Sequence, residues 1–157
     1  MNITNLTTPQ IEHLYLRKNA FVMVFIGLFF LTQLIYDLVS TAQPATDFKI
    51  GFGLASVFCL IGLLVNSITV SKLAHKVKKA YWYGNFDDEY FNFLNHKAYK
   101  YGFNSAGLVA FIFYFGPSLV PENILTMDNS FRLLISIMFF GYGVPLLFWL
   151  RADGKDE

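Results

Sequence analysis

Four stretches of the chain are apolar at nearly every position, residues 20–39, 50–70, 102–120 and 131–150, and the polar residues collect between them. A helix rising about 1.5 Å per residue needs roughly 20 residues to cross the hydrocarbon core, so each stretch has the length of a span. Lipid offers the backbone no hydrogen-bond partner, so each must be helical. The pattern predicts an all-α membrane protein with four transmembrane helices in an antiparallel bundle, a single integral membrane domain over residues 1–157. A cleaved signal peptide is the competing reading of the first stretch, because Arg17 and Lys18 precede it and Ser40-Thr41-Ala42 is small. Its apolar region is longer than the roughly 7 to 15 residues of such leaders and ends in Tyr36-Asp37, which favours a span.

The connections are unequal, and the sizeable one lies between the second and third spans. Residues 71–80 contain no helix breaker, so the second helix is expected to run on past the membrane. Tyr81-Trp82-Tyr83-Gly84-Asn85 reads as a turn, with Gly84 suited to a left-handed conformation and Asn85 to capping the next helix. That helix is expected to start near Phe86, with Asp87, Asp88 and Glu89 at its positive end, and to continue to Phe115. Helices 2 and 3 thereby extend into an antiparallel cytoplasmic hairpin over residues 71–101. Lys78 and Lys79 face Asp87 and Asp88 in it, and His75 and His96 fall at equal height.

Composition agrees that water is not the main solvent. The chain is 55% hydrophobic, 18% aromatic and 15% charged, against about a quarter charged in soluble domains. A formal net charge of +1, with no strongly basic domain, argues against nucleic acid as a partner. Cys59 is the sole cysteine, so there is no internal disulfide. The distribution of charge says more. Arg17, Lys18, Lys72, Lys76, Lys78, Lys79, Lys97, Lys100, Arg151 and Lys155 lie on one side of the four-span arrangement, and Lys49 and Arg132 on the other. Positive residues resist translocation, so both termini and the central loop are expected in the cytoplasm.

The central loop also holds the most unusual surface. Tyr81, Trp82, Tyr83 and Phe86, beside Lys76, Lys78, Lys79, Asp87 and Asp88, are more aromatic than solubility requires, which suggests a protein-docking surface or a seat on lipid headgroups. Inside the spans, Asn66 and Asn104, with Thr32, Gln33 and Ser105, are candidates for hydrogen bonds between helices. Asp37 and Arg132 fall at the same outer level and are expected to pair. Gly51, Ala55, Cys59 and Gly62 on the second span, and Gly102, Ala106 and Ala110 on the third, form small-residue stripes for close packing. Gly141 to Pro145 marks a kink in the fourth.

His75 and His96, with Glu12 or Glu89, are the best available metal or haem ligands, but no H-x-x-x-H spacing or cysteine partner supports them, so no metal or cofactor is expected. No G-x-S-x-G, H-E-x-x-H or Walker loop is present, and the chain does not read as an enzyme. A glutamate within the first span, the mark of small drug/proton antiporters, is missing too.

Asp88-Glu89-Tyr90 followed by His96-Lys97-Ala98 and an apolar span resembles the central loop of uncharacterised bacterial four-span membrane proteins, which carry D-E-R and then K-A or R-A before their third helix. The resemblance implies a four-helix fold in the bacterial inner membrane and no particular activity. Two functions suit these features: an accessory or regulatory subunit acting through the cytoplasmic hairpin on a protein partner, or a small oligomeric channel or transporter lined by spans 2 and 3.

Overall fold

The structure is a computed structural model that describes residues 6–40, 46–115 and 126–153. These form five helices: α1 (Thr8–Ser40), α2 (Thr46–Ala74), α3 (Lys78–Tyr83), α4 (Glu89–Phe115) and α5 (Met127–Asp153). Among the described residues α1, α2 and α5 are each long and apolar enough to cross a membrane. The polar first half of α4 keeps it out of that group, and residues 116–120 of the expected third span lie outside the described part.

The long helices make an arc in the order α2, α1, α5, α4. Each seam is antiparallel. On α1 and α2, Gln33 donates to Ser56 Oγ at 3.1 Å and Lys18 to Asn66 Oδ1 at 3.3 Å. On α1 and α5, Asn19 meets Tyr142 near one end and Arg132 is paired with Asp37 at the other, as their positions in the sequence led us to expect. On α4 and α5, Lys97 lies 4.3 Å above the Trp149 ring. Gly102 on α4 and Gly143 on α5 let the neighbouring helices come close at the two α5 seams. A Cβ on Gly102 would come within 2.8 Å of the Met138 carbonyl oxygen, and one on Gly143 within 2.8 Å of that of Ala20.

The buried hydrophobic cluster, which includes Tyr15, Leu16, Leu73, Val77, Ala80, Phe86, Leu94, Ala98 and Leu146, gathers at one end of the arc, where all five helices meet. Antiparallel packing collects the described basic residues other than Lys49 and Arg132 around that end.

The connection between α2 and α4 departs from the expected hairpin. α2 stops at Ala74, where the amides of Lys76 and Val77 both donate to the Leu73 carbonyl. Burial drives the bend, because Leu73, Val77 and Ala80 reach the core only if the chain turns across the end of the bundle. The short α3 follows and is closed by Gly84 in the left-handed region at φ 66°. α4 begins at Glu89 rather than near Phe86, and its cap is Asp88 rather than Asn85: Asp88 Oδ1 accepts from the amides of Tyr90 at 2.8 Å and Phe91 at 3.4 Å. Helices α2 and α4 have no extended packing on one another among the described residues. The small-residue stripes are only partly used. Cys59 and Gly62 face α1 and Gly102 faces α5, whereas Gly51, Ala55 and Ala110 are exposed. α5 continues as one helix through Pro145.

Candidate functional site

The bend from Ala74 to Glu89 is held by buried polar groups that belong to the other helices. Glu12 on α1 is 3% exposed, and its two carboxylate oxygens accept from the amides of Asp87 at 2.8 Å and Asp88 at 3.1 Å. Two charge-assisted bonds offset the cost of burying this carboxylate. Asn95 on α4 is buried likewise; its Nδ2 donates to the Gly84 carbonyl at 2.8 Å and its Oδ1 accepts from the Tyr142 hydroxyl at 2.7 Å. Asn19 Nδ2 donates to that same hydroxyl at 3.3 Å. The elbow formed by α3 and its flanking turns is thereby fastened to α1, α4 and α5.

On this frame the elbow presents Tyr81, Trp82 and Tyr83, which are 45%, 73% and 78% exposed, with the exposed Lys76, Lys78 and Lys79 beside them. Tyr81 and Trp82 meet edge to face with ring centres 5.1 Å apart. Lys79 and Asp87 are paired at 3.2 Å in solvent, where such contacts contribute less than about 1 kcal/mol. Two residues expected at this surface are used elsewhere. Phe86 is 8% exposed and packs its ring 6.1 Å from that of Tyr15, and the Asp88 carboxylate caps α4. Burial, with help from the neighbouring Tyr99 and Tyr81, pushes the Tyr15 phenol from 10.0 up to about 12. It is a neutral hydroxyl at any physiological pH.

Beneath the elbow lies a cleft of about 620 Å³. α1 contributes Tyr15, Asn19 and Met23, α2 contributes Val70, α4 contributes Asn95, His96 and Tyr99, and the elbow covers the rest. Among the described residues no Lys, Arg, Asp or Glu lines it. Aromatic faces, amides and hydroxyls are what it offers a ligand.

The remaining candidate residues are scattered. His96 lines this cleft and a neighbouring depression that holds Lys97, Lys100 and Asn104, whereas His75 lines a different depression on α2 beside Ser71 and Lys72. Among the described residues no three His, Cys, Asp or Glu side chains gather as metal ligands would. Asn66 is buried at the α1 seam, bonded to Lys18 and to the Gly62 carbonyl, while Asn104 is exposed on α4. Thr32 and Ser105 bond back to carbonyls of their own helices, Leu28 and Tyr101.

Sequence reasoning overlooked Asn19 and Asn95 and gave Glu12 only a metal-binding role. A signal was available. Glu12 shares its helix face with Ile11, Tyr15 and Leu16, and Asn95 shares its face with Leu94, Ala98 and Gly102. A polar group on an apolar stripe needs a buried partner.

Comparison of the chain with protein-family models, curated proteins and solved structures gave no match.

Proposed function

We propose that the chain is a four-span protein of the bacterial inner membrane, with both termini cytoplasmic, that serves as an accessory or regulatory subunit and engages a protein partner through its elbow. The observation that carries this reading is the pairing of a highly exposed aromatic surface, Tyr81 to Tyr83, with a frame of buried polar bonds that holds it in one shape. Preorganised aromatic side chains lose little entropy on binding, and aromatic residues dominate interface energetics.

A membrane span in the second half of α4, the third in chain order, is supported by register. Gly102 meets Met138 and Tyr142, and Ser105 meets Gly141, so the second half of α4 runs beside the apolar body of α5 at the same depth. Its outward residues there, Phe103, Leu108, Phe111, Ile112 and Phe115, are exposed and suit lipid. Orientation rests on the basic residues collected at the elbow end. The bacterial inner membrane rests on the resemblance carried by residues 88–98.

The channel or transporter reading has less behind it. Asn66 is committed to Lys18 on α1, and Asn104 looks out from a different surface, so the two amides do not share a path.

The test is site-specific crosslinking in native membranes. Full-length protein bearing a photo-crosslinker at position 79 should capture one defined partner, and the Trp82→Ala/Tyr83→Ala variant should lose it with an unchanged melting temperature. An equal yield from both proteins would overturn the docking role. Solute flux through reconstituted protein that disappears in Asn66→Leu would favour the channel. A reporter fused after Glu157 that proves periplasmic would overturn the orientation.

A further inference from the structure

The arc leaves one seam of a four-helix arrangement open. Both α2 and α4 border the cleft beneath the elbow, yet neither closes it against the other. Its volume of about 620 Å³ falls within the roughly 300 to 1,000 Å³ of small-molecule sites.

Its walls change character with depth. Met23 and Val70, on the span side, are apolar; Asn19, Asn95 and His96 follow; the rings of the elbow stand at the lysine-rich end. This gradient runs in the direction of a phospholipid in the adjacent leaflet. Among the described residues the lining carries no Lys, Arg, Asp or Glu, so these residues offer no ion pair to a free anion or to a charged peptide. It does offer aromatic faces, which attract ammonium groups. At the rim, His96 continues into the depression that contains Lys100, where a phosphate finds donors.

We infer that the cleft holds one glycerophospholipid with an ammonium-bearing headgroup. The ammonium sits among Tyr81, Trp82 and Tyr99, the phosphate reaches His96 and Lys100, and the acyl chains descend past Met23 and Val70 between α2 and α4. This site lies under the elbow that the partner is proposed to engage, so the lipid would complete the surface from below. The inference rests on the membrane placement proposed above.

Native mass spectrometry of the delipidated full-length protein, titrated with dioleoyl phosphatidylethanolamine or dioleoyl phosphatidylglycerol, tests it. The expected result is one phosphatidylethanolamine per chain, held about fivefold more tightly than phosphatidylglycerol, as an ammonium–ring contact provides. Trp82→Ala, at an exposed position outside the core, should erase that preference, and Val70→Trp should weaken both lipids by filling the apolar end. A benzophenone side chain replacing Val70 should crosslink to lipid in membranes. Equal affinity for the two lipids, indifference to both substitutions, or a crosslink to polypeptide alone would overturn the inference. Resistance to alkaline carbonate extraction reads the membrane placement separately. Protein that resists extraction yet ignores both substitutions defeats this inference alone, whereas protein that is extracted defeats the placement and the inference together.

Discussion

The Tyr142 hydroxyl on α5 donates to Asn95 Oδ1 on α4 across 2.7 Å, with both residues buried. Because Asn95 also donates to the Gly84 carbonyl, the position of the elbow depends on a hydroxyl in the last helix of the chain. Tyr142→Phe keeps the tilted ring contact with Tyr99, 4.8 Å between centres, but strips Asn95 Oδ1 and Asn19 Nδ2 of their partner. Leaving buried polar atoms unpaired costs about 1–3 kcal/mol. The expected outcome is a lower melting temperature in detergent together with faster tryptic cleavage after Lys78 and Lys79.

Glu12 is the second anchor. Glu12→Gln keeps the shape but places an amide donor against one of two backbone N–H groups, so one of the bonds to Asp87 or Asp88 is lost. The expected cost is about 1–3 kcal/mol. Hydrogen exchange reads it locally, through loss of protection at the amides of Asp87 and Asp88 with the spans unchanged.

The long apolar helices α1, α2 and α5 were legible in the sequence because lipid imposes a length and an apolar composition on each spanning helix separately. The Asp37 to Arg132 pair was legible for a related reason, since few charges lie in or beside the apolar stretches and these two share a level. The elbow was not. Nothing in residues 71–80 breaks a helix; α2 ends at Ala74 because Val77 and Ala80 find Tyr15 and Phe86, and those contacts are distant in sequence. The arc was hidden likewise. The second and third spans were expected to run on together as a hairpin, but α2 and α4 have no extended packing on one another among the described residues, and no local pattern announces the bend that parts them.

Close approach itself can be tested with internal controls. Gly102→Ala and Gly143→Ala push a methyl group onto backbone oxygens and should each cost about 1–3 kcal/mol. Gly51→Ala and Gly107→Ala add the same atom where nothing lies within 4 Å and should stay within about 0.5 kcal/mol of the parent. Melting temperatures of the four variants in one detergent decide this.

A pH dependence follows from Tyr15. Its phenol ionises at about 12 in the folded chain against an ordinary 10.0, so the folded state holds its proton longer than the unfolded state does. Stability from this group is intact below pH 10 and fades as the pH rises toward 12. Tyr15→Phe should flatten that part of the melting curve against pH, and the difference from the parent isolates Tyr15 from the other tyrosines.

The Asp37–Arg132 and Lys79–Asp87 ion pairs should respond differently to charge exchange. Asp37→Arg alone should destabilise by about 1 kcal/mol, with recovery in the Asp37→Arg/Arg132→Asp double variant, because this half-buried pair joins α1 to α5. Lys79→Asp/Asp87→Lys should leave the melting temperature where it was, since both partners stand in solvent.

The order of the arc has a consequence for biogenesis. The α1–α2 and α4–α5 seams join long helices that are neighbours in the sequence, and each hairpin can form as soon as its second helix is made. The α1–α5 seam joins helices far apart in sequence, so the two hairpins must wait as separate bodies until α5 has been made. Through that interval Ala20 and Val24 stay uncovered, and the elbow has no Tyr142 to fix it. A finished elbow is therefore a report that α5 has joined α1 and α4.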